Sequence, residues 1–197
     1  MDHIGSFRRA VAVAALLAAS GAGAEVISYS TALSGAVEAP PNASPGTGWA
    51  TLWLDTTAHT MRLETSFSGL LGNTTSAHIH CCTATPESGT AGVATQVPTF
   101  VGFPLGVTAG AYDATFDLSV ATSWNPAFIT ANGGSTASAT AALLAGLDSE
   151  RAYLNIHTPL FPAGEIRGFL SRDVPEPALP ALLGMAAVAA FASRWRR

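Results

Sequence analysis

The sequence predicts an all-β body, an antiparallel β-sandwich of immunoglobulin-like or Greek-key type with one short helix. Composition is the first reason: charged residues make up only 11% of the 197 residues, there is no lysine, and Gly and Pro number 19 and 12. The second reason is that short stretches of alternating apolar and polar residues recur between turn-forming segments, as in half-buried antiparallel strands. Strands at this spacing are typical of sandwiches and Greek-key barrels.

The first 24 residues are predicted to be a secretory signal peptide. Arg8 and Arg9 precede an apolar run, and small residues end the segment at Ala24. A charged start, an apolar middle and a small-residue cleavage site occur in this order in signal peptides. A buried N-terminal helix is disfavoured because the apolar run ends in the cleavage pattern. We therefore expect an exported body that spans residues 25–173.

A tripartite tail occupies residues 174–197. It consists of the motif Pro175-Glu176-Pro177, an apolar stretch to Ser193, and a basic terminus with Arg194, Arg196 and Arg197. The apolar stretch is at the short limit for a transmembrane helix, and terminal arginines favour the cytoplasmic side. The tail resembles the PEP-CTERM sorting signal of Gram-negative bacteria. That resemblance implies an exosortase-type membrane protease as processing partner, an inner-membrane anchor before sorting, and then the cell surface or extracellular space; an uncut membrane anchor is the alternative.

Period-two alternation predicts the strands of the body. A hairpin is predicted from residues 48–55 and 61–67, with Leu52 and Leu63 on its apolar face. Further strands are predicted at 76–81, 110–118, 153–157 and 165–170. The Ala-rich residues 138–147 carry the one helical pattern, and residues 123–134 are assigned to a loop.

Three of the five histidines lie on the polar faces of two predicted strands. In an extended strand, His78 and His80 point to one face while Ile79 points to the other. Downstream, the strand at 153–157 places His157 on its polar face. A His-x-His pair and a third histidine from a neighbouring strand can present three neutral imidazoles to copper or zinc. The alternative is that these histidines are structural and hydrogen-bond loop carbonyls, Asn155 or Glu165.

Two adjacent cysteines, Cys81 and Cys82, follow the His-x-His pair directly and are the only two in the chain. Exported proteins meet oxidising conditions, in which free thiols rarely persist. The sequence favours a disulfide between the two neighbours as a stiff turn. An intermolecular bridge and thiolate ligands at a metal site are the other readings.

Glu165 and Arg167 are predicted to share a strand face and to form an ion pair that braces the last strand. A catalytic role for Glu165 in glycoside hydrolysis would require a second carboxylate placed beside it, and the sequence does not indicate one. The chain also contains no Gly-x-Ser-x-Gly, no His-Glu-x-x-His and no phosphate-cradling loop. We therefore name no catalytic residue and expect no enzymatic activity.

Charge excludes one class of partner. The body carries four arginines against eleven carboxylates, and the formal net charge of the chain is −4. A surface without basic patches is a poor ligand for nucleic acid. A matrix polysaccharide or another surface protein is the kind of partner that an exported module of this composition would take.

Several blocks of the body together resemble the CHRD domain, first described in chordin. They are residues 33–41, the strand 48–55, Ala77-His78-Ile79-His80, residues 153–158 and, most specifically, residues 162–168. The resemblance implies a β-sandwich of immunoglobulin-like character in an extracellular setting, with no established enzymatic activity. Cys81-Cys82 departs from the glycine that commonly follows the second histidine in this family. The function expected from the sequence is therefore an exported, surface-delivered binding or structural module, with a copper- or zinc-binding metalloprotein as the alternative.

Overall fold

A computed structural model describes residues 26–174 as eight strands, two α-helices and two short 3₁₀ turns. The 3₁₀ turns are Gly35–Val37 and Ala121–Ser123, and the helices are α1 (Pro126–Ala131) and α2 (Thr136–Asp148). The strands are β1 (Val26–Ser34), β2 (Thr47–Asp55), β3 (Thr60–Ser68), β4 (Ser76–His80), β5 (Gly110–Asp117), β6 (Tyr153–His157), β7 (Ile166–Phe169) and β8 (Ser171–Arg172).

The strands form one curled antiparallel sheet in the order β4-β6-β7-β1-β2-β3-β5, with β8 also paired to β1. The all-β, antiparallel prediction is therefore confirmed. The sheet is continuous because β1 pairs with β2 over nine residues on one side and with β7 and β8 on the other. The sequence predicts two sheets packed face to face. In the structure the strands form one sheet, because β1 pairs with strands on both of its sides.

The predicted hairpin is β2–β3, whose register pairs Leu52 with Leu63. Both side chains are fully buried, as the alternation predicts. The same inner face of the sheet continues through Ile79 on β4 and Leu154 on β6, which are also fully buried. One apolar cluster thus runs along the inner face of the sheet from β4 to β5, and burial of this face is the main stabilising term of the fold.

The helices differ from the sequence prediction in number. Helix α2 confirms the predicted helical segment, and Ser135 caps it by accepting a hydrogen bond from the backbone N–H of Ser138. Assigning residues 123–134 to a loop was wrong, because α1 lies there. Asn125 accepts a hydrogen bond from the backbone N–H of Ala127, and Pro126 occupies the first turn, where its missing N–H costs nothing. Six residues are too few to produce a helical period in the sequence.

No helix within residues 26–174 is long and apolar enough to cross a membrane. The predicted signal peptide and the PEP-CTERM-like tail, including Pro175, Glu176, Pro177 and the terminal arginines, lie outside the described residues.

Candidate metal centre

The three histidines are brought together by the register of β4 and β6. These strands are antiparallel neighbours, with His78 opposite Asn155, His80 opposite Tyr153, and Ser76 opposite His157. Because side chains alternate between faces, all three histidines lie on the outer face of the sheet, behind which Ile79 and Leu154 face the core. A one-residue slip between these strands would move His157 to the inner face and separate it from the pair.

Loops cover the outer face here, so the histidines are buried. The exposed fractions of His78, His80 and His157 are 6%, 8% and 8%. One ring nitrogen of each forms a group whose members lie within 4.8 Å of one another. The centroids of the three rings are separated by 5.3 to 5.8 Å. Strands far apart in sequence thus place three imidazoles around one point.

Each ring is oriented by one hydrogen bond to a backbone carbonyl of a covering loop. His78 Nε2 lies 2.6 Å from the Pro98 oxygen, and His80 Nδ1 lies 2.9 Å from the Ala91 oxygen. His157 Nδ1 lies 3.0 Å from the carbonyl oxygen of Pro162. Carbonyls only accept hydrogen bonds, so each of these nitrogens carries the proton and the other nitrogen of each ring has a free lone pair.

The nitrogens left over are the informative ones. His78 Nδ1, His80 Nε2 and His157 Nε2 are buried and have no hydrogen-bond partner. A buried polar atom without a partner costs free energy, and native proteins rarely leave one so. Since one nitrogen of each ring lies within 4.8 Å of the other two, the three rings have the spacing of a candidate metal-ligand set, and each already has the outer hydrogen bond that metal-ligating histidines use.

Burial keeps these imidazoles neutral. Desolvation lowers the pKa of His78 and of His80 to about 4, against an upward effect of the hydrogen bonds to Pro98 and Ala91. The pKa of His157 is also lowered, again mainly by burial. Neutral imidazole is the form that binds a metal ion, so all three are ready to act as ligands at pH 7.

Aromatic and charged side chains of β6 and β7 continue the buried layer. Tyr153 stacks on His80 with ring centroids 4.9 Å apart. The Arg167 guanidinium lies over two aromatic rings of this layer, 4.7 Å from the centroid of Tyr153 and 5.2 Å from that of Phe169. Arg167 is paired with Glu38, Nε to Oε2 3.7 Å, and burial raises the pKa of Glu38 to about 7 although Arg167 opposes this.

The structure does not form the predicted ion pair between Glu165 and Arg167. Arg167 instead pairs with Glu38 and donates hydrogen bonds to the carbonyls of Val37 and Gly89. The physical reason is that Glu165 precedes β7, which begins at Ile166, so the strand alternation that the prediction assumed does not extend to it.

Glu165 is instead the centre of a buried hydrogen-bond cluster. Its carboxylate accepts from the Ser44 and Thr158 hydroxyls and from the backbone N–H groups of Leu71 and Gly72. Burial alone would raise its pKa, but these four donors together hold it below the usual value. This carboxylate ties three loops together at one end of the sheet.

The structure joins Cys81 and Cys82 in a disulfide directly after β4. Their sulfurs pack against Gly146 of α2, where a Cβ atom would overlap both. As a disulfide, the pair offers no thiolate to the neighbouring histidines. The reading of the cysteines as metal ligands is therefore not the one that the structure adopts.

A family model supplies the relationship to known proteins. The model described as the CHRD domain matches residues 29–170, which is most of the chain. The chain belongs to the CHRD family. At family level, this CHRD domain is an extracellular-type module without an assigned catalytic role. No curated protein and no solved structure shows a significant match to the chain.

Sequence reasoning missed Glu38 in the buried layer of this CHRD domain. Glu38 follows the 3₁₀ turn Gly35–Val37 and precedes Ala39-Pro40-Pro41, so no strand period marks its orientation. Its partner Arg167 lies 129 positions downstream on β7. The only available signal was that Arg167 alternates with core residues, which indicates a buried cation that needs a carboxylate.

Proposed function

We propose that this CHRD domain is an exported, non-catalytic module that binds one copper or zinc ion through His78, His80 and His157. Two observations carry the proposal: the three buried histidines bring one ring nitrogen each within 4.8 Å of one another, and each ring has one buried nitrogen without a hydrogen-bond partner. An ion at their centre satisfies all three at once. A solvent-exposed cluster of histidines would have bulk water for this purpose, whereas these nitrogens are buried.

Imidazole ligands limit the choice of ion. Zinc and copper bind histidine nitrogen at about 2.0–2.1 Å, whereas calcium and magnesium take oxygen ligands. Two nitrogens bound to one such ion lie at most about 4.2 Å apart. Ligand atoms that lie up to 4.8 Å apart therefore move inward when the ion binds. The hydrogen bonds to the loop carbonyls hold the orientation of the rings.

A purely structural role is the second candidate, favoured by the same three carbonyl hydrogen bonds. In that case the histidines fasten the covering loops to the outer face of β4 and β6, and no ion is needed. The two candidates differ in what they predict for the unpartnered nitrogens. The structural role leaves them as a cost to stability, whereas metal binding turns them into a gain.

We expect no catalysis by this module. The candidate ligands are more than 90% buried, which is unfavourable for access of a substrate. The sequence also lacks the motifs of nucleophilic and metal-dependent hydrolases. The role we propose is binding, either of the metal itself or of a surface partner such as matrix polysaccharide or another surface protein.

Export is proposed on three grounds. The first 24 residues have the layout of a signal peptide, the tail resembles a PEP-CTERM signal, and CHRD membership is that of an extracellular-type module. We propose that an exosortase-type membrane protease processes the tail after an inner-membrane stage, and that the body then reaches the cell surface or extracellular space. Nucleic acid is not an expected partner because the body is acidic.

Metal analysis of the full-length protein, purified without a polyhistidine tag, tests the proposed function. We expect about one equivalent of copper or zinc per chain, and loss of it in His80→Ala and in His157→Ala. His59→Ala is the matched control, because His59 is exposed in the β2–β3 turn and outside the cluster. Metal-free protein that takes up neither ion, with a melting temperature unchanged by chelator, would support the structural role instead.

A further inference from the structure

We infer that the ion preferred by the three-histidine site is monovalent copper, Cu(I), over Cu(II) and Zn(II). This inference rests on the proposed function, since it names the cargo of the same site. Two features of the structure carry it: the absence of negative charge from the donor set and from the groups hydrogen-bonded to it, and the number of ligands that the described chain supplies.

The donor set is neutral in both shells. The three ligand atoms belong to imidazoles, and the opposite nitrogen of each ring donates to a backbone carbonyl, of Pro98, Ala91 or Pro162. Many histidine sites for divalent zinc place a carboxylate in this outer position, where it adds negative charge and raises the basicity of the ligand. Here all three outer positions are filled by uncharged groups.

Carboxylates near the site in sequence or in contact are engaged elsewhere. Glu165 accepts four hydrogen bonds from two hydroxyls and two backbone N–H groups, and it is not a member of the histidine group. Glu38 is paired with Arg167. Of this pair, Arg167 is the one that contacts the site: its guanidinium lies over Tyr153, and Tyr153 stacks on His80. The charged group connected most directly to the site is therefore positive.

Burial makes charge decisive. The free energy needed to move an ion from water into a low-dielectric interior grows with the square of its charge, so a divalent ion costs about four times as much as a monovalent ion of the same size. Carboxylate or thiolate ligands usually offset this cost. Three neutral nitrogens with exposed fractions of 6% to 8% offset less of it. The environment therefore favours a single positive charge.

Ligand number points to the same ion. Structural zinc sites take four protein ligands in a tetrahedron, and catalytic ones add water at an open position. Among the residues that the structure describes, the histidine group has three members and contains no acidic residue or cysteine. Cys81 and Cys82, the nearest sulfurs along the chain, are joined in a disulfide. Cu(I) has a filled d shell and is stable with three nitrogen ligands in a plane.

Competition titrations of the full-length, untagged protein test this inference. Metal-free protein is titrated anaerobically against the Cu(I) complex of bicinchoninate, aerobically against Cu(II)-nitrilotriacetate, and against Zn(II) held by a chromophoric chelator. Cu(II) is the demanding comparison, because it binds most tightly among the divalent first-row ions. We expect the dissociation constant for Cu(I) to be at least about 100-fold lower than for either divalent ion, with unchanged values in His59→Ala.

The outcomes separate the inference from the proposed function. Equal or tighter binding of Cu(II) or Zn(II), lost in His80→Ala, overturns the Cu(I) preference but supports a three-histidine metal site. Failure of all three ions to bind overturns the proposed function as well. Cu(I) binding that His80→Ala and His157→Ala leave unchanged assigns the ion to another site and overturns both.

Discussion

The two ends of the sheet carry the same alternation of apolar and polar side chains, but only one of them presents its polar face to solvent. On β2, β3 and β5, which we call the open half, outward residues such as Arg62, Glu64 and Asp113 are exposed. On β4, β6 and β7, the covered half, the outward residues His78 and Arg167 are buried. Alternation therefore predicts which side chains share a face, but it does not predict whether that face is exposed to solvent.

The consequence is a different role for polar groups in each half. In the open half, water can replace any lost partner, so ion pairs contribute little. In the covered half, every polar group needs a protein partner, and the loops supply carbonyls for the three histidines and for Arg167. An unpartnered nitrogen therefore costs free energy only in the covered half, where water does not replace the missing partner.

A change of pH tests the difference between the covered half and the open half, because it changes the free energy of unfolding through the buried His80. In metal-free protein, the pKa of His80 is about 4 in the folded state and about 6.5 when unfolded. A lowered pKa contributes stability that is present above pH 6.5 and is lost as the pH falls through 6.5 towards 4. We expect this loss to be on the order of 3 kcal/mol for His80.

Denaturant unfolding of wild type and His80→Gln between pH 4 and pH 7 measures this loss as a difference in slope. The comparison with the variant is needed because the raised pKa of Glu38, about 7, acts with the opposite sign in the same window. Parallel curves for wild type and His80→Gln would place His80 in contact with water.

Glu165→Ala should lower the free energy of unfolding by about 3–5 kcal/mol, because it leaves two hydroxyls and two backbone N–H groups in the covered end without their acceptor. Urea denaturation measures the change. Glu64→Ala in the open half is the control and should leave stability unchanged within error, since Glu64 is exposed. Equal effects of the two substitutions would remove the distinction between the halves.

Gly146→Ala should cost about 1–3 kcal/mol, because the new methyl group overlaps the sulfurs of Cys81 and Cys82 and forces α2 away from the end of β4. Thermal unfolding compares it with Gly92→Ala, whose added Cβ meets no atom within 4 Å. If both variants melt alike, α2 is not packed closely on the disulfide.

Arg62→Ala should have the smallest effect. Arg62 bonds both oxygens of Asp113 and lies over the Trp53 ring at 4.7 Å, but it is exposed to solvent and to screening salt. We expect a small drop in the melting temperature at low salt that vanishes in 1 M NaCl. A large drop that persists in salt would mean that the open half is also covered, in solution, by a part of the protein or a second copy.

Much of the sheet is predictable because its strands are local patterns. The β2–β3 hairpin, strand β5 and the strands of the histidines all follow from alternation. Helix α1 escaped prediction because a six-residue segment has no period to detect. The partner of Arg167 escaped because Glu38 lies in a loop, where side-chain direction is not periodic.

The sequence alone determines that His78, His80 and His157 lie on polar strand faces, because alternation of side chains is a property of a single extended chain. Only the tertiary structure decides that β4 and β6 are neighbours in the register that brings these rings together, and that loops then close over them. Register and burial depend on contacts between residues distant in the chain, which local preference does not encode. The same three imidazoles on an open sheet would be solvated, and in this fold they are candidate ligands.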